Sequence, residues 1–585
     1  MVLSKGALTI VSLALAATAV AETYPVKVER GVRARMRDGV QLVADVYRPD
    51  AEGRFATLLS RTPYDRKGGA SQAEDLAAAG YVVVLQDTRG RFDSEGEFYP
   101  FRNESDDGFD SVAWAAALPH SNGRVGMFGG SYVGATQMLA AAARPPQLAA
   151  IFPYITASEY YEGWTYQGGA LMRWFASSWA SGLTIDTLRR KAAQKQRPRE
   201  WVKREPIEAY TLFETPTAAE VAPYFADWVT HESDDDYWRR VRVSDHYDQM
   251  SVKALHAGGW HDIFSSGSIR NYLGLREKAE TPEARAGQRL LMGPWAHAAT
   301  SPEGKIGDVV FGKDVAIDMT AAIRDWFDYA LRGVANDYAT KPPVRLFVMG
   351  ENAWRYESEF PPERAVETRY YLEPAAAGKG EAPSRKDGLL ATKPGGRWPS
   401  TRFEYDPADP VPTLGGRLCC GAALQPGPAD QQPNESRPDV LIFSTPALTR
   451  DTEVTGFVAL DLFAATSAVD TDFTAMLVDV EPNGFARYLA DGIVRARYRA
   501  STARAEPVVP GQAYPYRIEL GATSNLFKAG HRIRLYVSSS NFPRFDRNDN
   551  TGEPSATAAR MLKATQTIFH DRTRPSALVL PIVPR

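Results

Sequence analysis

Residues 24–48 alternate apolar and polar positions on either side of Asp38-Gly39, which predicts two strands joined by a turn. Residues 56–60 form the next apolar run, ending at Arg61-Thr62-Pro63-Tyr64. Residues 81–85 are continuously apolar, as expected of a strand buried on both faces. Over 106–118 the period changes, and Phe109, Val112, Ala113 and Ala116 fall on one face of a helix. A short apolar strand at 125–128 runs into Gly129-Gly130-Ser131. An apolar helix over 132–143 follows, stopped by Pro145-Pro146, and then another strand at 148–152. Strands and helices alternating at these lengths predict a parallel sheet with helices on both faces.

The texture shifts at 158–250, which is rich in Trp, Tyr, Arg and Ala and poor in strand-like runs. It reads as a helical insertion. Its basic stretch from Arg189 to Arg204 fits a solvated helix face, and Asp234-Asp235-Asp236 fits the acidic first turn of a helix rather than a metal site. The α/β pattern resumes at 252–258 and 288–292, and a helix over 320–331 closes it. From about Pro342 onward the pattern is all-β. Short alternating segments at 344–349, 368–372, 440–444, 454–462, 516–520 and 532–538 are separated by loops rich in Gly and Pro, which predicts a jelly-roll β-sandwich. The expected plan is a leader at 1–21, an α/β domain in two parts at 22–157 and 251–341, a helical cap at 158–250 and a β-domain at 342–585. A chain of 585 residues suits several domains, because single cores stop growing near about 250–300 residues.

The leader expectation rests on Lys5, an apolar stretch over 7–17 and Ala19-Val20-Ala21, a small-x-small site for signal peptidase. An uncleaved anchor is the alternative. The expected mature protein is soluble, periplasmic or secreted, with no membrane contact after cleavage. Cys419 and Cys420 are adjacent and are the only cysteines, so no disulfide scaffold exists; a vicinal disulfide and two partly buried thiols both remain open. With 68 basic and 71 acidic side chains, the near-balanced charge gives no reason to expect a nucleic-acid partner. The oligomeric state stays open.

Chemistry enters at Gly129-Gly130-Ser131-Tyr132-Val133-Gly134, between a strand and a helix. A serine held in that strained turn stands above the sheet edge as a nucleophile. Alone, the motif fits a nucleophile and a structural turn equally well. A serine nucleophile needs a base and an orienting carboxylate, in the chain order Ser, acid, His. Asp262 follows one sheet strand in Gly258-Gly259-Trp260-His261-Asp262, and His297 follows another in Gly293-Pro294-Trp295-Ala296-His297. Both lie at carboxyl ends of strands, where such sheets place their sites. His261 adjoins Asp262 and would point elsewhere; His120, His231 and His246 lie in a loop and in the insertion. No zinc-binding or nucleotide-binding fingerprint is present, and no cofactor is expected. The amide of Tyr132 and the hydroxyl of Tyr64 are candidate oxyanion donors. Trp164, Tyr166, Trp174, Phe175, Trp179, Trp260 and Phe264 are candidates for an apolar substrate pocket, although helical aromatics more often pack into cores.

The segments Arg61-Thr62-Pro63-Tyr64-Asp65, 129–134, 258–262 and 293–297, with Ser538-Ser539-Ser540-Asn541-Phe542-Pro543-Arg544-Phe545, resemble the cocaine esterase-like serine hydrolases. That group also includes X-Pro dipeptidyl peptidases and α-amino acid ester hydrolases. The resemblance implies an α/β-hydrolase domain, a helical cap and a jelly roll. It also implies a Ser131–His297–Asp262 triad and Tyr64 with the Tyr132 amide as oxyanion hole. The expected activity is hydrolysis of small carboxylic esters or amides through an acyl-enzyme. An X-Pro-type dipeptidyl peptidase or an α-amino acid ester hydrolase or acyltransferase is the alternative, and a secreted carbohydrate-binding protein is the reading from another class. In the amino acid ester hydrolases, acidic residues soon after the triad aspartate bind the ammonium group. Here Phe264 and Ser265 stand at the matching positions, leaving Glu159 or Glu162 of the cap as the other candidates.

Overall fold

The chain opens with a hairpin. Strand β1 (Val26–Arg35) pairs antiparallel with β2 (Gln41–Pro49). Gly39 at φ 91° makes the turn between them, in the left-handed region that glycine enters without strain. The computed structural model describes residues 23–193, 221–298, 300–374, 388–394, 396, 398–554 and 560–585. The expected leader at 1–21 and the basic stretch from residue 194 to Arg204 lie outside the described residues.

After the hairpin come β3 (Phe55–Thr62), β4 (Val82–Asp87), β5 (Ser121–Gly130), β6 (Leu148–Tyr154), β7 (Lys253–His261), β8 (Gln288–Ala296), β9 (Val344–Val348) and β10 (Ala353–Glu357). Among the described residues they form one ten-stranded sheet in the order β1-β2-β4-β3-β5-β6-β7-β8-β9-β10. From β4 to β9 every pairing is parallel. Helices Ala70–Ala78 and Met319–Arg332 cover one face through Leu76, Ile323, Trp326 and Phe327. Helices Glu104–Ala116 and Tyr132–Ala142 cover the other through Val112, Ala115, Met138 and Leu139.

One expectation needs correction. The sequence pattern assigned 344–349 to the C-terminal β-domain beginning at 342. Instead β9 pairs in parallel with β8, from Leu290↔Val344 to Met292↔Leu346, and β10 closes the first sheet at Glu357. A short apolar run looks the same whether a parallel sheet or a sandwich buries it, so periodicity could not separate the two.

Among the described residues the insertion contains helices Arg173–Ala193, Pro223–Thr230 and Asp236–Arg239, with a small ladder of Tyr166–Gln167 against Ala170–Leu171 that the pattern did not predict. Asp235 caps the last helix by accepting the Tyr237 N–H, which suits its place at a positive helix end. The C-terminal domain is mainly β. Its longest pairing sets Thr452–Thr466 antiparallel to Tyr514–Phe527. Its inward residues Leu460, Phe473, Leu477 and Leu520 share one core with Trp260, Met292, Leu346 and Phe347 of the first sheet. Each such side chain contributes about 1.5–3 kcal/mol on burial, so the interface is a true core and holds both domains in register.

Candidate active site

Ser131 sits between β5 and the helix Tyr132–Ala142 at φ 60° and ψ −126°, a strained backbone for a residue with a side chain. The surrounding sequence is what permits it. A Cβ on Gly129 would lie 2.2 Å from Val133 Cγ1, and one on Gly134 would lie 2.7 Å from Thr156 Cβ. The second glycine therefore falls one position later than in the common elbow because Thr156 crowds that position, while Val133 packs over Gly129.

β7 and β8 end beside this turn. Asp262 Oδ2 lies 2.7 Å from His297 Nδ1, and His297 Nε2 lies 3.1 Å from Ser131 Oγ. Asp262 Oδ1 accepts the Phe264 N–H at 2.6 Å, so both carboxylate oxygens are engaged and the group is fully buried. A carboxylate only accepts, so Nδ1 carries the ring proton and Nε2 presents a lone pair to the serine hydroxyl. This array can move a proton from Ser131 to His297. His261 turns away: its Nδ1 donates to the Pro294 carbonyl at 2.9 Å, and burial pushes its pKa down to about 3.

The Tyr64 hydroxyl accepts the Trp179 Nε1–H at 2.9 Å and lies within hydrogen-bonding reach of Ser131 and the Tyr132 amide. Burial raises its pKa against the pull of those bonds, so the phenol stays protonated and able to donate. Yet 42% of the Tyr64 residue surface remains exposed. Three arginines fix the loop that carries Tyr64. Arg61 pairs with Glu104 at 2.8 Å, and Arg66 reaches Asp45 at 3.1 Å and also pairs with Asp87. Arg91 donates to the Pro63 carbonyl at 2.8 Å and to Leu183 in the insertion at 2.9 Å. Such charge-assisted bonds are shorter and stronger than neutral ones. Sequence reasoning singled out neither Arg66 nor Arg91 for this role, because their partners are distant in the chain.

The candidate pocket aromatics divide. Phe264 meets the His297 ring edge-on at 5.3 Å and stacks on Trp164 at 4.5 Å, and Phe175 packs edge-on against Phe264 at 5.3 Å. Trp179 stacks on Tyr132 at 5.7 Å while holding Tyr64. Trp260 and Tyr166 sit elsewhere. Trp260 points to the opposite side, donating to the Phe347 carbonyl at 2.8 Å inside the interdomain core. Tyr166 donates to the Trp228 carbonyl at 2.8 Å and stacks on Tyr161 within the insertion. Trp174 packs against Gly421, where a Cβ would lie 2.3 Å from its Cζ2, and its amide bonds to the Pro543 carbonyl at 3.0 Å. Glu159 accepts from Ser244 at 2.8 Å and Glu162 accepts the Gly168 N–H at 3.1 Å, so both insertion carboxylates are engaged within the insertion or with its neighbours.

A third wall comes from the C-terminal domain. Cys419 and Cys420 are joined as a vicinal disulfide, and their sulfurs lie with a His297 ring nitrogen inside a sphere of contacts no longer than 4.8 Å. Arg417 holds this loop by donating to the carbonyls of Trp260 at 3.2 Å, Leu520 at 2.6 Å and Ala522 at 2.9 Å. No local signal marks either residue as part of the site.

Residues 38–299 match the family profile described as X-Pro dipeptidyl-peptidase (S15 family), and residues 336–579 match the X-Pro dipeptidyl-peptidase C-terminal non-catalytic domain. A cocaine esterase of Rhodococcus sp. (strain MB1 Bresler) is 38% identical over 581 residues, spanning 95% of this chain and 99% of its own. The crystal structure of an aminopeptidase from the marine sediment archaeon Thaumarchaeota archaeon superposes with a TM-score of 0.80 at 25% identity, covering 100% of both chains. An α-amino acid ester hydrolase shares the fold, with a TM-score of 0.79 at 24% identity over 96% of this chain and 98% of its own.

Proposed function

Because this chain belongs to the cocaine esterase-like serine hydrolases, we propose that Ser131, His297 and Asp262 are its catalytic triad and that it cleaves carboxylic esters of small, apolar acyl groups. The observation that carries the assignment is the continuous hydrogen-bonded run from Asp262 through His297 to Ser131.

Ser131 Oγ attacks the acyl carbonyl as His297 Nε2 takes its proton, and Asp262 stabilises the imidazolium and keeps the ring oriented. Charge collects on the carbonyl oxygen. The Tyr64 hydroxyl and the Tyr132 amide, which converge beside Ser131, donate to it. Trp179 acts as a positioning residue that aims the Tyr64 hydroxyl. His297 then returns its proton to the leaving alcohol, and water releases the acyl group by the same steps in reverse.

The choice of an apolar acyl group over an amino-acyl one rests on the residues that follow Asp262. Ile263 and Phe264 are apolar, Phe264 lies against His297, and the insertion carboxylates Glu159 and Glu162 have other partners. A panel of p-nitrophenyl esters, aminoacyl esters and X-Pro anilides tests this reading. Ester turnover that rises with acyl length and gains nothing from a free α-amino group is expected. A preference of about 10-fold or more for the α-amino substrate, the worth of one contact of about 1.4 kcal/mol, would assign the enzyme to the peptidase or amino acid ester reading instead.

We also propose that the first 21 residues are a leader removed on export, leaving a soluble protein outside the cytoplasm. Support comes from the leader composition and from the disulfide, a bond that persists in oxidising compartments. Mass spectrometry of the exported protein should find Glu22 at its N-terminus. Retention of Met1 would contradict the cleavage.

A further inference from the structure

The disulfide beside the base has no part in the proposed chemistry, yet its placement is specific. Cys419 is buried in the same extended core that holds Trp164, Phe175, Trp179 and Phe264, while Cys420 is exposed. Each sulfur and one His297 ring nitrogen lie within 4.8 Å of one another. A tetrahedral zinc-like ion with ligands at about 2.0–2.3 Å sets its donor atoms about 3.3–3.8 Å apart, so once the disulfide is opened the two sulfurs must separate, within a cluster whose three donor atoms already lie no more than 4.8 Å from one another. Two features prepare the arrangement. Asp262 engages Nδ1 of His297, leaving Nε2 as the donor, and a carboxylate on the far nitrogen is how metal-binding histidines are usually oriented. Arg417, clamped to three carbonyls on the first sheet and the β-domain, holds the loop at the site independently of the sulfur–sulfur bond.

We propose that the reduced Cys419–Cys420 pair and His297 form a site for a soft divalent cation of the zinc and cadmium class, and that filling it switches the hydrolase off. The inference rests on the reading of His297 as the base. Opening the disulfide takes two electrons and two protons from an external dithiol, which itself becomes a disulfide, and leaves two thiols. Binding then releases both thiol protons as two thiolates and the Nε2 lone pair bond to the ion. The lone pair that accepts the Ser131 proton is thereby occupied. In the disulfide state neither sulfur is a thiolate, so the site is lost and the base is free. The enzyme is thus insensitive to soft metals when oxidised and silenced by them when reduced.

Cadmium is the probe, because its bond to thiolate gives an ultraviolet charge-transfer band independent of turnover. The full mature protein is treated with a phosphine reductant, which gains an oxygen from water as the disulfide becomes two thiols. It is then freed of reductant and titrated with cadmium while the band and ester hydrolysis are recorded. The untreated disulfide form and the Cys419→Ser, Cys420→Ser double variant are run alongside. In the reduced wild type the band should saturate at one ion per chain. At about 100 times its Kd, activity should fall about 100-fold and return with chelator. The disulfide form and the double variant should each keep, at the same cadmium, the activity that each shows without it. Reduced wild type that keeps its activity while the band saturates would overturn the proposal, as would equal inhibition of the double variant. If the double variant does not fold, alkylation of the exposed Cys420 in the reduced wild type serves instead: it should abolish the band, and a band that survives would count against the site. A disulfide form with no esterase activity at all would strike at the proposed function rather than at this site, so the two failures are distinct.

Discussion

The two halves of the site are held in different ways. Ser131, Asp262 and His297 each stand one residue past a strand, and the parallel register of β5, β6, β7 and β8 brings the three strand ends together. The opposite half is carried by loops and the insertion: Tyr64 on a segment pinned by arginines, Trp179 from the helix Arg173–Ala193, and the cysteine pair from the C-terminal domain. The first half depends on backbone hydrogen bonds that any strand of that register would make. The second depends on particular long-range side-chain contacts. The proposed triad is thus fixed by the sheet, while the proposed oxyanion donor and the cysteine wall depend on long-range side-chain contacts, where substrate choice and regulation can vary without disturbing that triad.

If that contrast is right, damage to the strand-borne half should be deepest. Asp262→Asn keeps the shape but offers an amide to Nδ1, which favours the wrong tautomer. Steady-state kinetics should show kcat lower by about 10⁴-fold with the fold intact by circular dichroism. A loss under tenfold would show that Asp262 does not orient the base. Tyr64→Phe tests the loop-borne half. Removing one oxyanion donor should cost about 10²–10³-fold in kcat with little change in KM, and an unchanged kcat would assign the oxyanion to other donors.

Arg417→Met probes the clamp itself. It leaves the carbonyls of Trp260, Leu520 and Ala522 without their donor, and urea unfolding should show a loss of about 2–3 kcal/mol. A variant as stable as the wild type would mean that the interdomain core alone holds the loop. A pH-dependent effect sets the buried His261 apart from His297. Burial lowers the pKa of His261 to about 3, whereas the unfolded chain binds that proton near the ordinary 6.5. The folded state therefore excludes a proton that the unfolded state takes up. The stability it contributes is complete above pH 6.5 and declines as pH falls toward about 3, by about 1.4 kcal/mol per pH unit. His261→Asn, whose amide can still donate to Pro294, should flatten that slope by the same amount in denaturation measured at several pH values. An unaltered slope would assign the acid sensitivity to other groups.

The contrast also explains what could be read from the chain. Strand ends, chain order and the glycine pattern around Ser131 are local properties, so all three residues of the Asp262–His297–Ser131 run were legible. Trp260 misled because closeness in sequence to Asp262 is not closeness in space: it still belongs to β7, and its ring faces the side covered by the β-domain. Tyr166 misled in the same way, since an aromatic in the insertion can pack within it as readily as face the site. The C-terminal boundary slipped because β9 is a short apolar run whose partner, β8, lies some fifty residues back. The cysteine pair at His297 and the arginines under Tyr64 carried no local mark, as each acts through contacts that only the folded chain creates.

The most direct test of the account is labelling of the purified protein by a fluorophosphonate, which reacts with an activated serine, in the wild type and in Ser131→Ala. The account predicts one labelled site in the wild type, found on the peptide carrying Ser131, and no label in the variant. A folded wild type that resists labelling, or a variant labelled as well as the wild type, would contradict the assignment of Ser131 as the nucleophile.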